Sequence, residues 1–130
     1  MMVLVQKPTE NRKPVIRTVG LDELALNPAE HASVYGLIEQ LTKKLCRKKE
    51  CGVTVHVKAY DHEGNRKKYS VHIKYTAPGT LLVSGKMHDW NLQTAIRAAY
   101  RTLDERLQAL HEQLNRALEA RGRMRKSSLR

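Results

Sequence analysis

Phenylalanine is absent from this chain of 130 residues, and all aromatics together make up 5%. Its core must therefore be aliphatic, drawn from Val, Leu and Ile. No apolar run approaches the ~20 residues that carry a helix across a bilayer, so a membrane protein is not expected. The opening Met1–Pro8 stretch is too short for the apolar region of a signal peptide and has no basic residue ahead of it. Cysteine occurs twice, too seldom for a secreted disulfide scaffold, and both thiols are expected to be reduced in an intracellular, cytoplasmic chain. No glycine-rich phosphate loop, nucleophile elbow or paired-carboxylate site is present. Acidic residues are scarce as well. The 13 Asp and Glu face 24 Lys and Arg, which leaves a net charge of +11 at pH 7.

The length allows one domain. Residues 1–30 carry four basic and four acidic groups, so the excess charge lies in the remainder, with nine basic against four acidic groups in residues 91–130. A basic surface of this kind attracts phosphate chains through its long-range field and through counterion release. An anionic membrane face would attract it too, but membrane insertion needs a free apolar helix face. The helices of this chain need their apolar stripes for a core, which favours nucleic acid.

Residues 1–13 read as a flexible lead and residues 14–115 as one α+β domain. Residues 116–130, with six Arg or Lys and almost nothing apolar, read as a disordered basic tail. Val15–Val19 is a first strand closed by Gly20. Asn27-Pro28-Ala29-Glu30 is a strong helix start: Asn27 caps, Pro28 suits the first helical position, and Glu30 completes a capping box. Val34, Leu37, Ile38, Leu41 and Leu45 share one face of the helix that follows. Its end carries Lys43, Lys44, Arg47, Lys48 and Lys49, more cations than helix-dipole compensation requires.

Val53, Val55, Val57 and Ala59 alternate with polar residues, as do Tyr69, Val71, Ile73 and Tyr75. For both apolar sets to face one core, odd positions must pair with odd positions. The loop then has an odd length, most simply Glu63-Gly64-Asn65, and His56 falls opposite His72 with Lys58 and Lys74 on the same solvent face. Thr80–Met87 reads as one further strand. A long helix then runs from about Trp90 to Leu118, with Leu92, Ile96, Ala99, Leu103, Leu107, Leu110 and Leu114 on one stripe. The expected architecture is a β-α-β-β-β-α two-layer sandwich with both helices on one face of a four-stranded sheet, as in double-stranded-RNA-binding domains.

Ile16-Arg17-Thr18-Val19-Gly20, then Leu24, Leu26 and Asn27, together with Asp89-Trp90-Asn91-Leu92-Gln93-Thr94-Ala95-Ile96 and the later Leu103 and Leu107, resemble the ribosome hibernation-promoting factor family, also called ribosome-associated inhibitor A or protein Y. The resemblance spans roughly residues 15–115 and corresponds to a short form without a second domain. Arg97 and Arg101 stand where that family often has acidic residues. The resemblance implies a factor that sits in the messenger and transfer RNA path of the small ribosomal subunit, contacts its ribosomal RNA, and blocks translation by occupancy.

Candidate phosphate contacts are Lys43, Lys44, Arg47 and Lys48 on the first helix, with Lys58, Arg66, Lys67, Lys68, Lys74 and Lys86 on the sheet side. Arg97 and Arg101 extend that surface across the second helix. Two sharper readings attach to His56 and His72. A metal site would need Cys46 and Cys51, whose spacing is not a clean zinc pattern. An acid–base pair beside Lys58 and Lys74 would cleave RNA, yet such pairs arise by chance on basic sheets. Surface histidines near RNA are the simpler reading, with no catalysis, cofactor, metal or small-molecule substrate. Trp90 and Tyr60 are candidates for base stacking, although Trp90 at a helix start also suits a hydrophobic staple. A double-stranded-RNA-binding domain proper would need a Lys cluster at Met87–Asn91, where there is none. The Leu stripe beyond Leu107 leaves helix-mediated self-association, or another protein partner, as the alternative.

Overall fold

The computed structural model describes residues 14–47 and 50–128. The lead (1–13) and Lys48 lie outside the described residues. Along the chain run β1 (Val15–Val19), α1 (Pro28–Leu45), β2 (Gly52–His62), β3 (Arg66–Ala77), β4 (Thr80–Val83), β5 (Met87–Asp89) and α2 (Leu92–Ser128). The fold is α+β, a mixed sheet with two helices. β1 pairs parallel to β2, β2 antiparallel to β3, and both β4 and β5 pair antiparallel with β3.

Both helices feed one core. Val34, Leu37 and Ile38 from α1 and Leu92, Ala95, Ile96, Ala99 and Leu103 from α2 meet Val53, Val55, Val57, Val71, Ile73 and Tyr75 of the sheet. These are the alternating sheet residues expected to point inward, and Val55, Val71 and Ile73 have no exposed surface at all. The hairpin register also agrees. His56 pairs with His72, His62 pairs with Arg66, and Glu63-Gly64-Asn65 makes the turn, with both Gly64 and Asn65 left-handed. α1 starts as its sequence requires: the Asn27 side chain accepts the Glu30 N–H at 2.8 Å and donates to the Glu30 carboxylate at 2.6 Å.

Gly20 closes β1 for a steric reason. At φ +88° its α-carbon lies so close to β2 that a β-carbon would sit 2.2 Å from the Val57 carbonyl oxygen. No side chain fits there.

Three expectations are corrected. The single strand Thr80–Met87 is split, because a step of three residues on β3 (Lys74 to Val71) is matched by four on the edge (Val83 to Met87). This β-bulge turns on Gly85 at φ +77° and is filled by the buried Ser84, which accepts the Ile73 N–H on its Oγ (2.9 Å) and donates its own N–H to the Ile73 carbonyl (2.9 Å). The long helix, read to end near Leu118 before a disordered tail, continues to Ser128. Ala117, Leu118, Glu119, Ala120 and Arg121 are helix-compatible, and one Gly122 costs only about 1 kcal/mol. Finally, Cys46 and Cys51 are not free thiols but a disulfide, their α-carbons 5.6 Å apart across the connection from α1 to β2.

Candidate nucleic-acid interface

Apart from Lys43, the sequence-predicted cations among the described residues fall on three surfaces. The first lies between the helices. Residues four apart share a helix face, so Arg97 and Arg101 line up along α2, and Lys44 and Arg47 close the end of α1. Together with Leu41, Leu45, Tyr100 and Asp104 they line a groove of about 470 Å³, four cations against one carboxylate. Its floor is fixed by a buried hydroxyl pair: Thr42 Oγ1 lies 2.6 Å from the Tyr100 hydroxyl, which also donates to the Ile38 carbonyl at 3.5 Å. Burial pushes the Tyr100 phenol up to about 12, against the opposing effect of the Thr42 hydrogen bond, so it stays a neutral strut. Lys43 is exposed on α1 but does not line this groove.

The second surface is the face of the sheet turned away from the helices. The pairing sets its residues in rows: Arg17, Thr54, Lys74 and Val83; then Val19, His56 and His72; then Lys58, Ser70 and His88. The His56 and His72 rings stack at 4.7 Å. They line a shallow depression of about 310 Å³ with Lys58, Tyr60 and Lys86. Desolvation lowers the His72 pKa from its ordinary 6.5, and the charges of His56, Lys86 and Lys74 add to the effect. Each of them would repel a proton on that ring. Among the described residues lining this depression, Glu23 carries the one carboxylate. The face is not wholly polar, since Val15, Val19, Leu81 and Val83 are exposed along its edges.

The third surface is the end of the β2–β3 hairpin, where Lys67 is exposed and Arg66 and Lys68 gather on Trp90. The Arg66 guanidinium lies 4.2 Å from the indole centroid and the Lys68 ammonium 5.3 Å, both within cation–π range. His62 meets the same ring edge-on at 4.9 Å. Trp90 is 45% exposed, so it does not staple α2 to the core. Leu92 takes that place.

Two side chains escaped the sequence reading. Arg17 belongs to the sheet face, and the alternation of β1 together with parallel pairing to β2 would have found it. Arg106 donates to the Val83 carbonyl and ties α2 to the bulge, a contact no local pattern announces. Among the described residues no three His, Cys, Asp or Glu converge as a metal site, and Cys46 and Cys51 are bonded to each other rather than turned to the histidines. No helix is long and apolar enough to cross a membrane among the described residues. The chain matches no protein-family model and no curated protein sequence.

Proposed function

We propose that this chain is a ribosome-associated translation inhibitor of the hibernation type, a factor that binds small-subunit ribosomal RNA in the messenger and transfer RNA channel and acts by occupancy, without catalysis. The observation that carries the reading is the placement of cations on two opposite sides of one thin domain. Lys44, Arg47, Arg97 and Arg101 line the groove of the helix layer. Lys58 and Lys86 lie with the stacked histidines on the helix-free face, and Arg17 and Lys74 lie beside them. A protein that rests on one duplex needs one basic face. A wedge between two phosphate walls needs two, which is the arrangement of a channel between the head and body of a ribosomal subunit. The motif resemblance around Gly20, Asn27 and Asp89–Ile96 supports the same assignment.

Cosedimentation of the purified chain with separated ribosomal subunits tests the proposal. Binding to the small subunit near one protein per particle, released by salt and leaving the ribosomal RNA uncut, is the expected result. Binding only to the large subunit, or to neither, removes the hibernation reading. RNA fragments that disappear in a His56→Ala/His72→Ala variant would replace occupancy by nuclease action. A second reading is favoured by one observation: Leu114 and Leu118 are exposed on the outer part of α2, which suits helix-mediated self-association. Light scattering on the full chain decides it, a dimer whose mass falls to the monomer in Leu114→Lys/Leu118→Lys being the supporting result.

A further inference from the structure

An exposed tryptophan, the single one in the chain, calls for a physical account. Trp90 sits between two fixed points: the Asp89 carboxylate accepts the Asn91 N–H at 2.8 Å, and the Asn91 side chain accepts the Thr94 N–H at 3.0 Å to cap α2. The backbone on either side of the ring is therefore held in place. Arg66, Lys68 and His62 hold the ring itself, and close to half of the residue still reaches solvent.

The same residue lines a depression of about 440 Å³ between the starts of the two helices, together with Tyr69 and Leu26 and with the polar residues Ser33, Asn91 and Gln93. The Gln93 amide reaches Ser33 Oγ at 3.4 Å, a long contact that leaves donors and acceptors to spare. Glu30 also lines it, but its carboxylate is engaged by Asn27.

We propose that Trp90 and this depression bind one unpaired RNA nucleobase, stacked on the indole, while Arg66, Lys67 and Lys68 take the flanking phosphates. The proposal rests on the RNA-binding reading above and adds what that reading does not state, that part of the recognition is of a base and not of phosphate alone. A nucleobase has an apolar π-face and a hydrogen-bonding edge, which matches an aromatic wall beside amide and hydroxyl groups. It must be unpaired, because bases stacked in an A-form helix present no face to a side chain. The adjoining cations match the phosphates on either side of such a base and disfavour a basic peptide.

The chain has a single tryptophan, so emission excited on the long-wavelength side of the tyrosine absorption reports on this site alone. Full-length protein is titrated with a short single-stranded oligoadenylate and, separately, with inorganic polyphosphate, which offers the charge without the bases. Oligoadenylate is expected to quench Trp90 emission while polyphosphate binds without doing so. In Trp90→Ala, anisotropy of labelled oligoadenylate should show affinity reduced by about 5- to 150-fold, the range found for loss of a base–aromatic stack. Affinity for polyphosphate should not change, and Trp90→Phe should recover most of the loss. Quenching by polyphosphate as strong as by oligoadenylate overturns the proposal. So does oligoadenylate affinity that Trp90→Ala leaves unchanged, which would assign the ring to a different partner. If the protein binds the small subunit yet shows neither quenching nor dependence on Trp90, the stacking site falls and the ribosomal reading stands. If it binds neither subunits nor oligoadenylate, both fall.

Discussion

Ser84→Ala removes one oxygen from the bulge that splits the edge of the sheet, and two hydrogen bonds go with it. The Ser84 hydroxyl accepts the Ile73 N–H at 2.9 Å and donates to the Gly85 carbonyl at 2.7 Å. Ile73 lies at the centre of β3 with no exposed surface, so its N–H cannot turn to water once the acceptor is gone. A buried donor left without a partner costs about 1–3 kcal/mol, whereas the half-exposed Gly85 carbonyl finds solvent at little cost. The expected loss is therefore about 2 kcal/mol. With an unfolding entropy near 2.1 cal/mol/K per residue, that corresponds to a Tm lower by roughly 7 °C for a domain of this length. Thermal melts and urea titrations should agree, with the urea m-value unchanged because the same surface is exposed on unfolding. Ser33→Ala, at an exposed position with one long contact, serves as the control and should stay within about 0.5 kcal/mol. A loss in Ser84→Ala no larger than in the control would refute the claim that this side chain holds the bulge.

Gly20→Ala should prevent stable folding, or cost more than about 3 kcal/mol, since the new β-carbon meets the Val57 carbonyl at 2.2 Å in a left-handed backbone; circular dichroism of the purified variant shows which, and a wild-type melt would refute the contact. Reducing Cys46–Cys51 opens a closed loop of five-residue separation, worth about 2 kcal/mol of chain entropy, so dithiothreitol should lower the Tm of the wild type and leave that of Cys46→Ala/Cys51→Ala unmoved. Because the folded-state pKa of His72 lies below its ordinary 6.5, the unfolded chain takes up the proton first. Stability is thus intact above about pH 6.5 and falls as the pH drops below it, and this part of the pH dependence should vanish in His72→Gln. Replacing Lys44, Arg47, Arg97 and Arg101 by Ala should cut the salt slope of log K for RNA by up to about 3, and replacing Lys58, Lys74 and Lys86 by about 2, independently if the two faces touch separate phosphates; a slope lowered by only one of the two sets would restrict binding to one face.

The parts of this fold legible in the sequence are those dictated by period and by local chemistry. Alternation in β2 and β3, with one core to share, makes odd positions pair with odd, the shortest such loop gives the register, and His56 does stand opposite His72. Asn27, Pro28 and Glu30 mark the start of α1 through atoms within one turn of each other. The misses depended on other information. The bulge at Ser84-Gly85 was signalled locally by a Ser-Gly pair inside a strand pattern, but an apolar run on both sides of it reads as one continuous strand. The extent of α2 beyond Leu118 turns on helix propensity, which composition masks when half of the residues are charged. The disulfide was set aside on an argument about cellular compartment, although a separation of five positions between two cysteines at a helix end permits the closure. Nor did the stripe of α2 reveal which side of the sandwich Arg97 and Arg101 would join. Only the packing of α1 against α2 through Thr42 and Tyr100 brings them to Lys44 and Arg47.

That last contact shows how the electrostatics depends on the core. Four cations crowded into one groove repel one another, and the helices would ease that repulsion by moving apart. Ile38, Ile96, Ala99 and Leu103, all but fully buried, and the Thr42–Tyr100 hydroxyl pair oppose that movement. On the other side of the sheet the same role falls to the long β2–β3 ladder and to Ser84, which keep Lys58, Lys74 and the stacked histidines at strand spacing. Repulsion held in place in this way is relieved by phosphate, so anion binding should stabilise the fold as well as occupy its surface.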